Sequence, residues 1–183
     1  MKIEIRTLRP DELTAWFDFL CREIFPDDPR DVVEGMWYND AEKDFGGIFV
    51  AADPDGRIVG SVKAECCMLP VLGQPVRGGI VSGVGVKAGY RGQGISRRLF
   101  TACHSRLLEK DAVIAHLYSK PDTLDFYLHL GYRNLPQREG EPFYRMYCVL
   151  KPFEISGTPV PDSDSLTERI QKEQAGETKA LPL

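Results

Sequence analysis

Between residues 78 and 100 the chain reads GGIVSGVGVKAGYRGQGISRRLF, with glycines at 83, 85, 89, 92 and 94 where an apolar strand gives way to a helix. Glycine weakens a strand interior because it adds no packing and loses the most freedom on folding, so several together imply the close approach of another backbone or a ligand. Gly92 and Gly94 free the loop to turn its N–H groups inward. A helix start already offers unpaired donors and about half a positive charge, so loop and helix together make an anion site, most naturally for phosphate. Lys87, Arg91, Arg97 and Arg98 add positive charge. A P-loop would need a Gly-Lys pair, which does not occur. A dinucleotide fingerprint fails at its last glycine, where Arg97 stands, and the first strand of the chain does not carry it.

The elements around this segment follow from periodicity. Lys2 to Arg9 alternates apolar and polar residues as a half-buried strand. Leu13, Trp16, Phe17, Leu20 and Ile24 recur at helical spacing between Asp11 and Phe25, and Asp28-Pro29 reads as a cap and first-turn proline for a second helix. Gly46 to Asp53 and Arg57 to Leu69 are strands about a Pro54-Asp55-Gly56 turn, and Val76 to Lys87 follows a Gly73-Gln74-Pro75 turn. A helix over Gly94 to Lys110, a strand over Ala112 to Tyr118, a short helix over Pro121 to Leu130 and strands at 132–135 and 143–150 complete the pattern. The fold class is α/β, an α+β mixed sheet in the order β-α-α-β-β-β-α-β-α-β-β. Residues 1–150 read as one domain, and 151–183, rich in Pro, Ser, Thr, Glu and Gly, as a largely disordered polar tail with a short helix near Leu166 to Gln174.

A length of 183 residues, 43% of them apolar, suits a single core. The net charge of −4 carries no footprint for nucleic acid. No apolar run reaches the roughly 20 residues of a membrane span, and the start lacks a secretory pattern, so a cytoplasmic protein is expected. Cys21, Cys66, Cys67, Cys103 and Cys148 lack the paired spacing of a zinc or disulfide framework and read as reduced thiols; no metal is expected. Monomer and homodimer both remain open.

The run Val86 to Ser96 resembles the coenzyme A signature of the GNAT superfamily of N-acetyltransferases, [QR]-x-x-G-x-[GA], with Arg91, Gly94 and Ser96 at its three positions. Asp125-Phe126-Tyr127-Leu128-His129-Leu130-Gly131-Tyr132 is similar to the family's second hallmark, FY-x-x-x-G-[FY]. The resemblance covers about residues 1–150 and implies a GNAT-like fold that transfers an acyl group from acetyl-coenzyme A to an amine. It implies that the backbone of Val84, Gly85 and Val86 pairs with the pantetheine arm as an added strand would. The N–H groups of Arg91, Gly92, Gln93, Gly94, Ile95 and Ser96 would hold the pyrophosphate, the Val86 N–H would face the thioester carbonyl, and Tyr127 would act on the sulfur as general acid. Tyr127 also reads as a packed aromatic on an amphipathic helix.

An attacking ammonium of pKa about 10 must first lose a proton. Many family members carry a carboxylate on the glycine-rich strand, but Ile80 to Val86 contains none. Glu65, His116 and Ser119 through a water are the candidate bases. Each has a plainer reading: a solvated strand residue, a packed histidine and a cap for the helix at Pro121. In the family the acceptor groove lies near the first two helices and the last hairpin, where this chain offers Phe25, Asp27, Asp28, Trp37, Tyr38, Glu139 and Glu141. Three functions therefore stand open: an N-acetyltransferase acting on a small-molecule or peptide amine, a non-catalytic acyl-coenzyme A binding module, and a phosphate site for another nucleotide.

Overall fold

The computed structural model describes residues 2–40, 43–137 and 140–179, the last five of these by backbone only. A seven-stranded mixed sheet runs in the order β1 (Glu4–Thr7), β2 (Ile48–Ala52), β3 (Ile58–Val71), β4 (Gln74–Val86), β5 (Ile114–Ser119), β7 (Tyr144–Val149) and β6 (Arg133–Asn134). The chain divides into two compact units, residues 1–65 with 81–106 and residues 66–80 with 107–183, so that β3 (Ile58–Val71) and β4 (Gln74–Val86) each pass through both.

In the first unit β1 (Glu4–Thr7) pairs antiparallel with β2 (Ile48–Ala52), and β2 pairs antiparallel with β3. Arg6 forks onto both carboxylate oxygens of Glu12 at 2.7 Å, which fixes the path from β1 into α1 (Leu13–Glu23) and holds the Glu12 carboxyl below its ordinary pKa. The apolar stripe of α1 buries Trp16, Phe17 and Leu20 against Val33 and Trp37 of α2 (Arg30–Tyr38) and Ile48 and Val50 of β2. Buried Trp16 keeps its polar edge satisfied, its Nε1 donating to Ser61 Oγ at 2.7 Å. Pro29 itself stands at the cap position of α2 with no side-chain cap, so Asp28 does not cap this helix. After β4, α3 (Ile95–Glu109) follows.

In the second unit β4 pairs in parallel with β5 (Ile114–Ser119) over Gly78–Ile80, and β5 pairs antiparallel with β7 (Tyr144–Val149), which carries β6 (Arg133–Asn134). The turn between β3 and β4 is Leu72-Gly73, both at positive φ, the geometry of a two-residue hairpin, and Gln74 already lies in the strand. Between β5 and β6, α4 spans Leu124–His129.

The expected disordered tail is corrected. Residues 153–179 form β8 (Phe153–Ile155), β9 (Thr158–Val160) and α5 (Ser163–Lys179), a helix longer than the expected 166–174. Ser156-Gly157, both at positive φ, turn β8 into β9, and Asp162 caps α5 by accepting the Ser165 N–H at 2.8 Å. Ile155, Val160 and Leu166 join Val71, Val76, Ile114 and Tyr147 in one buried cluster. The Val149 N–H donates to Ser163 Oγ at 2.9 Å, and Arg133 forks onto Asp164 at 2.5 and 3.1 Å. Composition misleads here because few apolar residues suffice when each lands on the core face.

Candidate functional site

From Val86 the chain passes through a short 3-10 turn at Ala88–Tyr90 into the glycine turn and α3. Gly92 and Gly94 take φ of 77° and 69°, and a Cβ at either would meet nothing within 4 Å, so conformation and not crowding calls for glycine. The helix makes its first bond from the Arg98 N–H to the Gly94 carbonyl at 3.2 Å, which leaves the N–H groups of the preceding turn unused by the helix. Residues 91–94 are exposed while Ile95 is buried, so the turn is open above and anchored below. Arg98 donates to the Ile3 carbonyl at 2.9 Å, tying the helix start to the strand that opens the chain.

A latch holds this turn. Tyr90 Oη donates to Asp53 Oδ2 at 3.0 Å, and the same carboxylate takes the Asp55 N–H at 3.0 Å, the Arg57 N–H at 2.9 Å and Arg57 Nε at 2.8 Å. Burial alone would raise the Asp53 carboxyl, but these bonds prevail and hold it below the usual carboxylate range, while the Asp53 contact raises the Tyr90 phenol.

The Lys87 N–H bonds to the Val59 carbonyl at 2.9 Å. In an antiparallel ladder alternate residues face opposite ways, so Val86 presents its N–H and carbonyl away from β3. Arg91 Nε donates to that Val86 carbonyl at 2.9 Å. A Cβ on Gly85 would lie 2.8 Å from Ile24 Cγ1, so no larger residue fits there without moving α1's end.

Gly83 takes φ of 57° inside β4, and beside it the first unit holds a cavity of about 210 Å³. Its walls are largely apolar, with Trp16 and Leu20 from α1, Trp37 from α2 and Phe25 from the segment between; Lys63 and Glu65 of β3 supply the charge. Lys63, two residues from Glu65 and so on the same strand face, is only 7% exposed at its side chain. Its Nζ pairs with Glu65 Oε1, lies 3.3 Å from Asp40 Oδ2, and sits 5.4 Å from the Trp37 ring centroid. Burial raises the Glu65 carboxyl, as does its hydrogen bond with Asp40, and Lys63 offsets this only in part.

In the second unit, His116 is held in register between Ile80 and Tyr147 and meets Tyr118 edge-on at 5.0 Å. Burial, then the charge of Arg145, lowers its pKa, which keeps the ring neutral. Ser119 Oγ donates to the Lys120 carbonyl at 2.9 Å and lies 3.1 Å from Thr123 Oγ1, inside the turn that starts α4. Tyr127 on α4 is 7% exposed, with ring contacts to Phe126 at 5.0 Å and Tyr132 at 6.0 Å; burial pushes its phenol up to about 12. Gly131, at φ 89°, reverses the chain after α4 so that Tyr132 is fully buried.

Glu65 therefore shares a cavity with Phe25 and Trp37, while Val84 to Val86 and the 91–96 turn lie on the adjoining stretch of the same unit. Asp27 and Asp28 are exposed and do not line the cavity, Tyr38 is exposed, and Glu141 pairs with Arg145 at 3.3 Å. Glu139 lies outside the described residues. Lys63 and Asp40 escaped sequence reasoning; the signal for the first was a lysine two residues from a glutamate inside the apolar run Ile58–Leu69. Among the described residues no helix is long and apolar enough to cross a membrane, and no three His, Cys, Asp or Glu side chains form a metal-holding group.

A family model for the acetyltransferase (GNAT) domain matches residues 4–134. No curated protein matches the chain by sequence. Among solved structures, the chain is similar to the GNAT family N-acetyltransferase YhbS of Escherichia coli in complex with CoA, at 19% identity and TM-score 0.66 over 91% of this chain and 85% of that one. It is also similar to a protein of Pyrococcus horikoshii OT3, at 21% identity and TM-score 0.65 over 80% and 97% of the two chains. A GNAT family acetyltransferase of Staphylococcus aureus aligns at 17% identity and TM-score 0.62 over 82% and 100%.

Proposed function

The chain belongs to the acetyltransferase (GNAT) domain family, and on that premise we propose that it transfers the acyl group of acetyl-coenzyme A to a primary amine. The observation that carries this reading is the open turn at Gly92 and Gly94, whose N–H groups the helix does not consume. Convergent amides at a helix start, with basic residues beside them, are the donor set a diphosphate takes, so the residues fit the coenzyme. In this reading the amides of Gly92 to Ser96 hold the pyrophosphate, the Arg91 N–H being taken by the Ala88 carbonyl at 3.2 Å, and Val84, Gly85 and Val86 offer strand-like pairing to the pantetheine arm. Bound coenzyme supplies the chemistry of an acyl thioester.

The chain's own groups then have distinct tasks. The outward Val86 N–H donates to the thioester oxygen, where negative charge develops. Glu65 accepts the proton that the substrate ammonium must lose; its raised carboxyl is a stronger base than an ordinary one. Tyr127, with a phenol near 12, stays protonated at neutral pH. That makes it a weaker acid than a thiol of pKa about 8.5, so its task is to steady the departing sulfur by a hydrogen bond. His116 and Ser119 have less support as bases, the one outside the cavity lining and the other engaged in its turn.

The test incubates the protein with acetyl-coenzyme A and a panel of primary amines and follows free thiol. Amine-dependent thiol release is expected, and Tyr127→Phe should lower kcat by about a hundredfold while leaving coenzyme binding nearly intact. Tight coenzyme binding with no release for any amine would move the assignment to a non-catalytic binding module.

A further inference from the structure

The cavity beside Gly83 is more selective than a general amine groove. Its volume of about 210 Å³ falls below the roughly 300–1,000 Å³ of pockets that hold drug-sized ligands. It corresponds to about seven waters at about 30 Å³ each, enough for a compact guest and too little for a peptide segment. Trp16, Leu20 and Trp37 give it an apolar lining, and its charge is confined to Lys63 and Glu65, with Asp40 outside the lining and on the same ammonium.

We infer that the acceptor is a small monoamine with one ammonium on a compact apolar or aromatic arm, and that polyamines, amino acids and peptides are excluded. Glu65 is the acid in the lining, and its carboxylate receives the guest's ammonium. The arm then packs against the indoles, which meet each other edge-on at 6.2 Å. A second ammonium on the arm would be stripped of water against apolar walls, and a guest carboxylate would meet Glu65 while Lys63 is already engaged by Glu65 and Asp40. The inference rests on the acyltransfer reading for its consequence, but the binding it describes is independent of turnover.

The chain contains two tryptophans, and both line this cavity, so intrinsic emission reports on it directly. The experiment titrates the whole protein with 2-phenylethylamine, spermidine, phenylalanine and a short peptide with a free amino terminus, and measures thiol release for each in the presence of acetyl-coenzyme A. Saturable emission change with 2-phenylethylamine is expected, with affinity and kcat/KM at least about tenfold above those of the other three. Met36, at the cavity and 49% exposed, tolerates change, and Met36→Arg should weaken the monoamine about tenfold through added positive charge while the KM for acetyl-coenzyme A holds. A monoamine that leaves the emission unchanged, or spermidine, phenylalanine or the peptide doing as well, overturns the inference. Thiol release with those guests in place of the monoamine would do so while leaving the acyltransfer reading intact. Monoamine binding without release for any amine would instead sink only the acyltransfer reading.

Discussion

Leu166→Ala asks whether the last thirty or so residues belong to the fold or merely follow it. Leu166 is 0% exposed and packs in one cluster with Ile155, Val160, Val71 and Tyr147. Truncating a leucine so enclosed costs about 2–5 kcal/mol, through lost burial and the void left behind. For a chain of this size each kcal/mol moves Tm by about 2–4 °C, so a fall of roughly 4–20 °C is expected. Gln171→Ala, on the exposed side of the same helix, is the matched control and should stay within about 0.5 kcal/mol. Circular dichroism on heating, repeated by urea titration, reads both. Equal melting of Leu166→Ala and the parent would mean that α5 contributes nothing to stability, and the packing described for the second unit would be wrong. A chain cut after Leu150 extends the same test, because it uncovers the apolar faces of Val71, Val76 and Ile114 together.

Gly94→Val places a β-branched residue at φ 69°, which distorts the turn that carries the proposed diphosphate amides; coenzyme A should then raise Tm far less than it does for the parent. Tyr90→Phe removes the phenol from Asp53 and loosens that turn, so the KM for acetyl-coenzyme A should rise several-fold while the amine KM stays put. Glu65 has a raised carboxyl pKa, so the base form is lost as pH falls through a value above the usual carboxylate range, and kcat/KM should decline along that limb. Glu65→Gln should lower the rate and erase the limb. The stability contributed by this carboxyl runs the opposite way: present when it is protonated, below its unfolded pKa, and lost as pH rises through the folded one.

The sheet, the four helices before residue 150 and the glycine turn were legible because their causes are local. A period of two or 3.6 can be read along a few residues, and Gly92 and Gly94 stand where only a positive φ will serve. The group of Lys63, Asp40 and Glu65 was only partly legible. Glu65 stood out as a carboxylate, but Asp40 reaches it from 25 positions away along the chain, across the close of α2, and no local pattern announces that meeting. The C-terminal segment misled for a different reason. Averaged polarity hides position, whereas Ile155, Val160 and Leu166 each land on the core face, and the signals that place them were two short ones: a Ser-Gly turn and an aspartate cap.

The bond from Arg91 to the carbonyl of Val86 has a consequence for what the end of β4 can pair with. A strand margin that both gives and receives hydrogen bonds is a template on which a second copy can grow. Here the final residue of β4 has its receiving group stoppered by a guanidinium. What remains at that residue is a group that can only give, open to a slender guest that needs a single donor.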